Sequence, residues 1–195
     1  MLEKYFSDYY KIRNSIDLKI SDILSFHKEN IICKKRCSGC CTAITLLPVE
    51  FFAIQQKLEK NFLKNLKQPN SKTQKQNCIF LADSICEIYE SRPIICRTQG
   101  LPLLYFSDEL ENYTISFCDK NFTSCNEDFE FNTEYSIDLD KLNSSLYKLN
   151  KNFMKEIGRE NKTDKRIQIS LLLLGISENG SGNIDYKSPS LYFNE

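Results

Sequence analysis

Four cysteines fall within nine residues, Cys33-x3-Cys37-x2-Cys40-Cys41, and this density limits what the chain can become more than any other feature. The chain carries nine cysteines in all, every one between Cys33 and Cys125, and none in the seventy residues that follow. An odd count cannot pair completely, and a reducing compartment does not sustain a disulfide framework. Cysteines that serve as small core hydrophobes are scattered rather than bunched. Clustered thiols at close spacing are instead the ligands that zinc and iron–sulfur centres require.

The compartment is read from the rest of the chain. Charges interleave with apolar residues from Met1 to Asp8, so the basic start and unbroken apolar stretch of a secretory signal are missing. The longest aliphatic run, Leu171–Leu174, is far shorter than a bilayer crossing needs. The expectation is a soluble, cytoplasmic protein without membrane attachment. Twenty-six basic residues balance twenty-six acidic ones, so no global field favours nucleic acid. The tightest basic run, Lys34–Arg36, lies inside the cysteine motif, where it would offset thiolate charge.

Within the motif, Ser38-Gly39 gives the backbone freedom to aim several thiolates at one centre. Adjacent Cys40 and Cys41 cannot both do so easily. Neighbouring side chains diverge on a helix and oppose each other on a strand, so one of the pair should serve a second ligand set or back up the first. The missing ligands are available downstream. Cys78-x7-Cys86-x9-Cys96 adds three sulfurs, and Cys118 a further candidate, while Cys125 is read as structural. Arg97, beside Cys96, could hydrogen-bond cluster sulfurs or a bound carboxylate. The single histidine, His27, is read as a surface or helix-terminal residue and not as a ligand.

Hydrophobic periodicity predicts a mainly α fold with a small β-hairpin, in one compact domain organised around a cysteine-rich metal site. Apolar steps of three and four from Leu2 to Leu24 mark a helix over 2–30. Residues 42–47 suit a strand, and a second helix should start at Pro48 and run to about Lys67. A polar loop covers 68–77. Ser91 is the expected cap of a short helix through Pro93–Arg97 ended by Gly100, and 101–106 with 113–117 read as a hairpin. Leu142 to Ile157 form another helix, capped by Asp138 or Asp140 and stopped by Gly158, and a shorter helix covers 163–174. The single domain is expected over 1–176, with its cysteine core at about 33–125, flanking helices at 2–30 and 138–174, and a loosely ordered tail at 177–195.

The order of blocks Cys-Lys-Lys-Arg-Cys-Ser-Gly-Cys-Cys (33–41), Cys-Ile-Phe-Leu (78–81) and Cys-Glu-Ile-Tyr-Glu-Ser-Arg-Pro-Ile-Ile-Cys-Arg (86–97) resembles the CxxCxxCC cysteine-cluster family, also called the YkgJ family. Thr98-Gln99-Gly100-Leu101-Pro102 and Cys118-x2-Asn121-Phe122 resemble a branch of it, so the likeness spans roughly 33–125. It departs from the family name at the first gap, which here is three residues. The resemblance implies chelation of zinc or iron by Cys33, Cys37, Cys40, Cys41, Cys78, Cys86, Cys96 and Cys118.

The functional expectation is a cysteine-cluster protein that chelates zinc or an iron–sulfur centre, its partner being the metal ion. The alternative is a structural zinc module that serves a protein partner without catalysis. Cys33-x3-Cys37-x2-Cys40 copies the spacing of radical S-adenosylmethionine enzymes, but those need a much larger barrel. No Gly-rich phosphate loop, Ser/His/Asp set or Cys/His dyad is present, so no reaction and no catalytic residue is assigned.

Overall fold

The computed structural model describes residues 2–34, 36–61, 78–126, 129–176 and 192. Helix α1 spans Glu3–Phe26 and buries Phe6, Tyr9 and Ile23, with Leu2, Tyr5, Ile12, Ile16 and Ile20 packed at the margin of the core. It ends four residues before the predicted boundary, where the His27 amide donates to the Ile23 carbonyl. Helix α2, Pro48–Asn61, starts at the predicted proline. The remainder of its predicted length, 62–67, and the predicted polar loop at 68–77 lie outside the described residues. Val49, Phe51, Phe52, Ala53 and Ile54 are all fully buried. An unbroken buried run on a helix means neighbours on every side; here they are α1, helix α4 (Leu139–Glu156) and a 3-10 helix at Ile169–Ile176.

Helix α4 follows the predicted pattern closely. The Asp138 carboxylate accepts the Lys141 amide as its N-cap, and Gly158 leaves the helix with φ +71°. Asp140 does something else: its carboxylate accepts the Phe106 amide at 2.8 Å and ties α4 to the hairpin. Asn150 is fully buried in mid-helix, where a polar side chain must find partners. Its Oδ1 accepts the Val49 amide at 3.0 Å and its Nδ2 donates to the Thr163 carbonyl at 2.9 Å, so it caps the start of α2 from the side.

The hairpin forms from β4 (Leu103–Ser107) and β5 (Asn112–Ser116), with Leu103 facing Ser116. A third strand, β6 (Ile137–Asp138), joins β4 in parallel and was not predicted. The helix predicted over 163–174 is replaced by a strand, β7 (Ile167–Gln168), followed by the 3-10 helix. Pairing outweighs helical spacing there: β7 lies antiparallel to β1 (Thr45–Leu46), the Ile169 amide donates to the Ile44 carbonyl, and Arg166 donates to both Oγ1 and the carbonyl of Thr45. Most of the predicted loose tail lies outside the described residues, but Tyr192 is placed against Phe51 and Phe52, and its hydroxyl accepts from Gln55.

A second, smaller cluster gathers at the end of α1. His27 caps that helix as predicted, yet it is only 2% exposed, not at the surface. Phe26, Phe122, Phe129, Phe131 and Tyr135 surround it. A ring nitrogen bonds the Tyr135 carbonyl, Nε2 has no partner among the described residues, and burial lowers the imidazole's pKa. Apolar walls favour the neutral ring, so this histidine is a core residue.

Candidate metal centre

The cysteines lie on turns and short elements between the long helices. The first loop is built from local bonds: the Cys37 amide donates to the Lys34 carbonyl and the Cys41 amide to the Ser38 carbonyl, while Arg36 turns with φ +77°. The next segment attaches to it directly, since the Cys78 amide donates to the Cys41 carbonyl at 3.0 Å. A tight hairpin follows. Strand β2 (Leu81–Ala82) pairs with β3 (Ile85–Cys86) across Asp83 and Ser84, whose φ values of 50° and 62° are those of a primed turn. Cys86 therefore faces Leu81, three residues beyond Cys78.

Cys96 sits on helix α3, Ile94–Thr98. Ser91 does not cap it, because Ser91 belongs to a 3-10 turn at Tyr89–Ser91. The cap comes from α2: the buried carboxylate of Glu50 accepts the Ile94 amide at 2.8 Å and the Tyr9 hydroxyl at 2.9 Å through one oxygen. Burial raises the Glu50 pKa, while these two bonds and Arg166 pull it back. Glu50 lies in the first turn of α2, and its reach across the fold is one that only tertiary contact creates.

Cys118 is held on the other side. Its amide donates to the Gly100 carbonyl, and Asn121 links that carbonyl to the first cysteine loop. Asn121 Nδ2 donates to the Gly100 carbonyl at 2.7 Å and Oδ1 accepts the Ile32 amide at 3.1 Å, next to Cys33. Gly100 has φ +89°, a left-handed backbone that L side chains rarely adopt, and a Cβ there would stand in ordinary contact with the Cys118 Cβ at 3.5 Å. Asn121 is thus a positioning residue; the only sequence signal for it was its place three residues after Cys118. Cys125 lies on the turn after Phe122, whose carbonyl accepts its amide.

All nine cysteines are free thiols, most of them half-buried, with Cys33 and Cys40 exposed. Burial raises Cys33, with Cys37, Cys40 and Cys118 adding to it. Burial lifts Cys41 to about 11, helped by Cys40, Cys86 and Cys78, and lifts Cys96 to about 12, helped by Cys78 and Cys86. Cys78 and Cys86 are also raised by burial, but each sulfur receives a backbone amide two residues on, from Phe80 and Ile88. Such amides stabilise a thiolate. Among the described residues, no group of three or more Cys, His, Asp or Glu side chains is spaced to hold a metal ion as it stands. The donor chemistry fits a thiophilic ion, with soft sulfur ligands on loops that backbone bonds bring side by side.

Arg97 is occupied elsewhere. Its Nη1 donates to the Asp17 carboxylate at 2.9 and 3.2 Å, Nη2 to the Glu90 carbonyl and Nε to the Arg92 carbonyl, fastening α3 to α1. Arg92 is the guanidinium that acts on the Cys86 and Cys96 thiols, favouring their charged forms. It stacks over the Tyr89 ring at 3.7 Å and donates to the Cys96 carbonyl.

Among the described residues, no helix is long and apolar enough to cross a membrane. No curated protein and no solved structure matches the chain. A family model does, over residues 32–127, a span that opens one residue before Cys33 and closes two after Cys125. That stretch matches the CxxCxxCC family, described as a "putative zinc- or iron-chelating domain".

Proposed function

We propose that this protein is a cytoplasmic metal-binding protein that chelates zinc or an iron–sulfur centre through Cys33, Cys37, Cys40, Cys41, Cys78, Cys86, Cys96 and Cys118. The observation that carries this reading is that four cysteine-bearing segments, distant in sequence, are tied by hydrogen bonds into neighbouring turns: Cys78 to Cys41 and Cys86 opposite Leu81 through the backbone, and Ile32 to Gly100 through the Asn121 side chain. Free thiols with amides aimed at two of their sulfurs support it further. The bound ion would supply the positive charge that lets these thiols ionise in a half-buried setting. A structural role toward a protein partner is favoured by Tyr89 and Ile95, which lie between Cys86 and Cys96 and are 53% and 46% exposed.

Anaerobic purification followed by metal analysis and a visible spectrum tests the proposal. A colourless protein with stoichiometric zinc, or a brown one absorbing near ~400 nm with iron and sulfide, supports it. A chain that carries neither metal and takes up neither on reconstitution overturns it.

A further inference from the structure

The sheet beside α4 ends in an open strand. Its order is β5-β4-β6, and the pairing fixes which way each backbone group points. The Pro102 carbonyl accepts the Ile137 amide of β6, and the Phe106 amide donates to the Asp140 carboxylate. Backbone groups alternate in direction along a strand, so Pro102, Leu104 and Phe106 bond away from β5. Leu103, Tyr105 and Ser107 are left to bond Ser116, Thr114 and Asn112, which they face in register. Tyr113 and Ile115 therefore turn their amides and carbonyls outward. Among the described residues no backbone group bonds them there, and the Tyr113 amide is covered only by the Asn112 side chain at 2.8 Å.

Open edges are ordinarily blunted by charge, proline or a bulge. Asn112-Tyr113-Thr114-Ile115-Ser116 has no charged residue and no proline, and its pairing with β4 runs without a bulge. Leu103 packs on the core, so Leu104, Phe106, Tyr113 and Ile115 lie on the opposite face of the hairpin. Phe106 and Tyr113 meet edge to face there at 5.6 Å, yet are 46% and 64% exposed.

We propose that β5 is a self-association edge, pairing antiparallel with β5 of a second copy about a two-fold axis at Thr114. In that register Tyr113 of each copy faces Ile115 of the other, every outward amide meets an outward carbonyl, and Asn112 releases the Tyr113 amide. An aromatic residue opposite a β-branched one is a favourable cross-strand pair. The charges select the same occupant. Antiparallel pairing sets the acidic hairpin tip, Asp108, Glu109 and Glu111, beside the other copy's chain just past β5. Lys120 lies there, its Nζ 3.8 Å from where a Gly39 Cβ would stand, against the loop that carries Lys34 and Arg36. Asp119 offsets only one of these cations. A negative tip thus meets a positive loop on each side of the axis, as a symmetric pair requires.

The test is sedimentation equilibrium of the full chain as purified, in reductant so that no thiol links two copies, from about 1 to 300 μM. The mass should rise from the 22.8 kDa of one chain to twice that. Salt at ~0.5 M should weaken the pairing about tenfold by screening the tip and loop. Amide exchange reads the register: Ile115 should slow with protein concentration, while Thr114, already bonded to Tyr105, should not change. Ile115→Pro removes an outward donor that β4 does not use, so the variant should keep its dichroism and stay monomeric. Tyr113→Lys, at an exposed position that leaves the fold intact, should weaken pairing about tenfold. A monomer at every concentration, or a dimer whose Ile115 exchange equals that of the monomer, overturns the proposal. So does association undiminished in Tyr113→Lys or in folded Ile115→Pro.

Discussion

Replacing Asn121 with Ala removes two bonds at a residue that is 2% exposed. The Ile32 amide is only partly buried, so water recovers some of that loss, and about 1 kcal/mol is expected there. The Gly100 carbonyl is buried and keeps only the Cys118 amide at 3.4 Å, so its loss should cost roughly 1–2 kcal/mol. The sum is about 2–3 kcal/mol, which at an m-value of ~2 kcal/mol/M moves the urea midpoint down by roughly 1–1.5 M. Asn121→Asp should cost more, because it keeps the acceptor for Ile32 but sets a carboxylate against the Gly100 carbonyl. The assay is urea unfolding by far-UV dichroism, with amide exchange at Ile32 as the local readout. Exposed Asn126→Ala serves as control and should stay within ~0.5 kcal/mol. A loss below ~0.5 kcal/mol for Asn121→Ala, with Ile32 exchange unchanged, would refute the claim that this side chain joins Gly100 to the first cysteine loop.

Asn150→Ala strands the Val49 amide and the Thr163 carbonyl in the core and should cost about 2–4 kcal/mol in the same urea assay. The metal-free chain should lose stability as pH rises above about 9, because the folded state holds the Cys41 proton to about 11 and the Cys96 proton to about 12 after an unfolded thiol has released its own. Melting curves between pH 8 and pH 11 check this, and a flat profile contradicts it. Chelation of the purified protein should lower its melting temperature, since metal-binding energy is folding energy in the cysteine region; scanning calorimetry before and after verified metal removal measures the difference.

What the sequence revealed depended on how local the cause was. The helices at Glu3–Phe26, Pro48–Asn61 and Leu139–Glu156 were legible because their apolar spacing, the proline start and the Asp138 cap all act within a few residues. The stretch from Thr163 read as helix because Ile167, Ile169 and Leu172 also fit helical spacing, and nothing in the local pattern shows that Thr45 and Leu46 would offer a strand partner. Which cysteine-bearing segments lie side by side was not legible, since it depends on bonds between residues 37 to 89 apart in the chain, such as Cys41 to Cys78 and Ile32 to Asn121. Arg97 looked like the arginine for the sulfurs because it adjoins Cys96. Yet the claim of Asp17 on its guanidinium is invisible without the packing of α1 on α3, and Arg92 takes the place beside the thiols.

Leu103 has a neighbour on each flank, Ser116 from β5 and Ile137 from β6. The chain between those two neighbours departs and returns at a single rung, and on the way it sets Phe122, Phe129, Phe131 and Tyr135 around His27 at the end of α1. Its exposed part is a cassette: length can change there without altering the frame that holds it. Closure entropy grows only logarithmically, so doubling the excursion would cost about 0.6 kcal/mol, provided the Cys118–Phe122 stretch keeps its bonds to Gly100, Ile32 and Asn30. Related chains should accordingly vary most in length beyond Phe122, at exposed positions such as Thr123 and Ser124, while the rung at Leu103 stays constant.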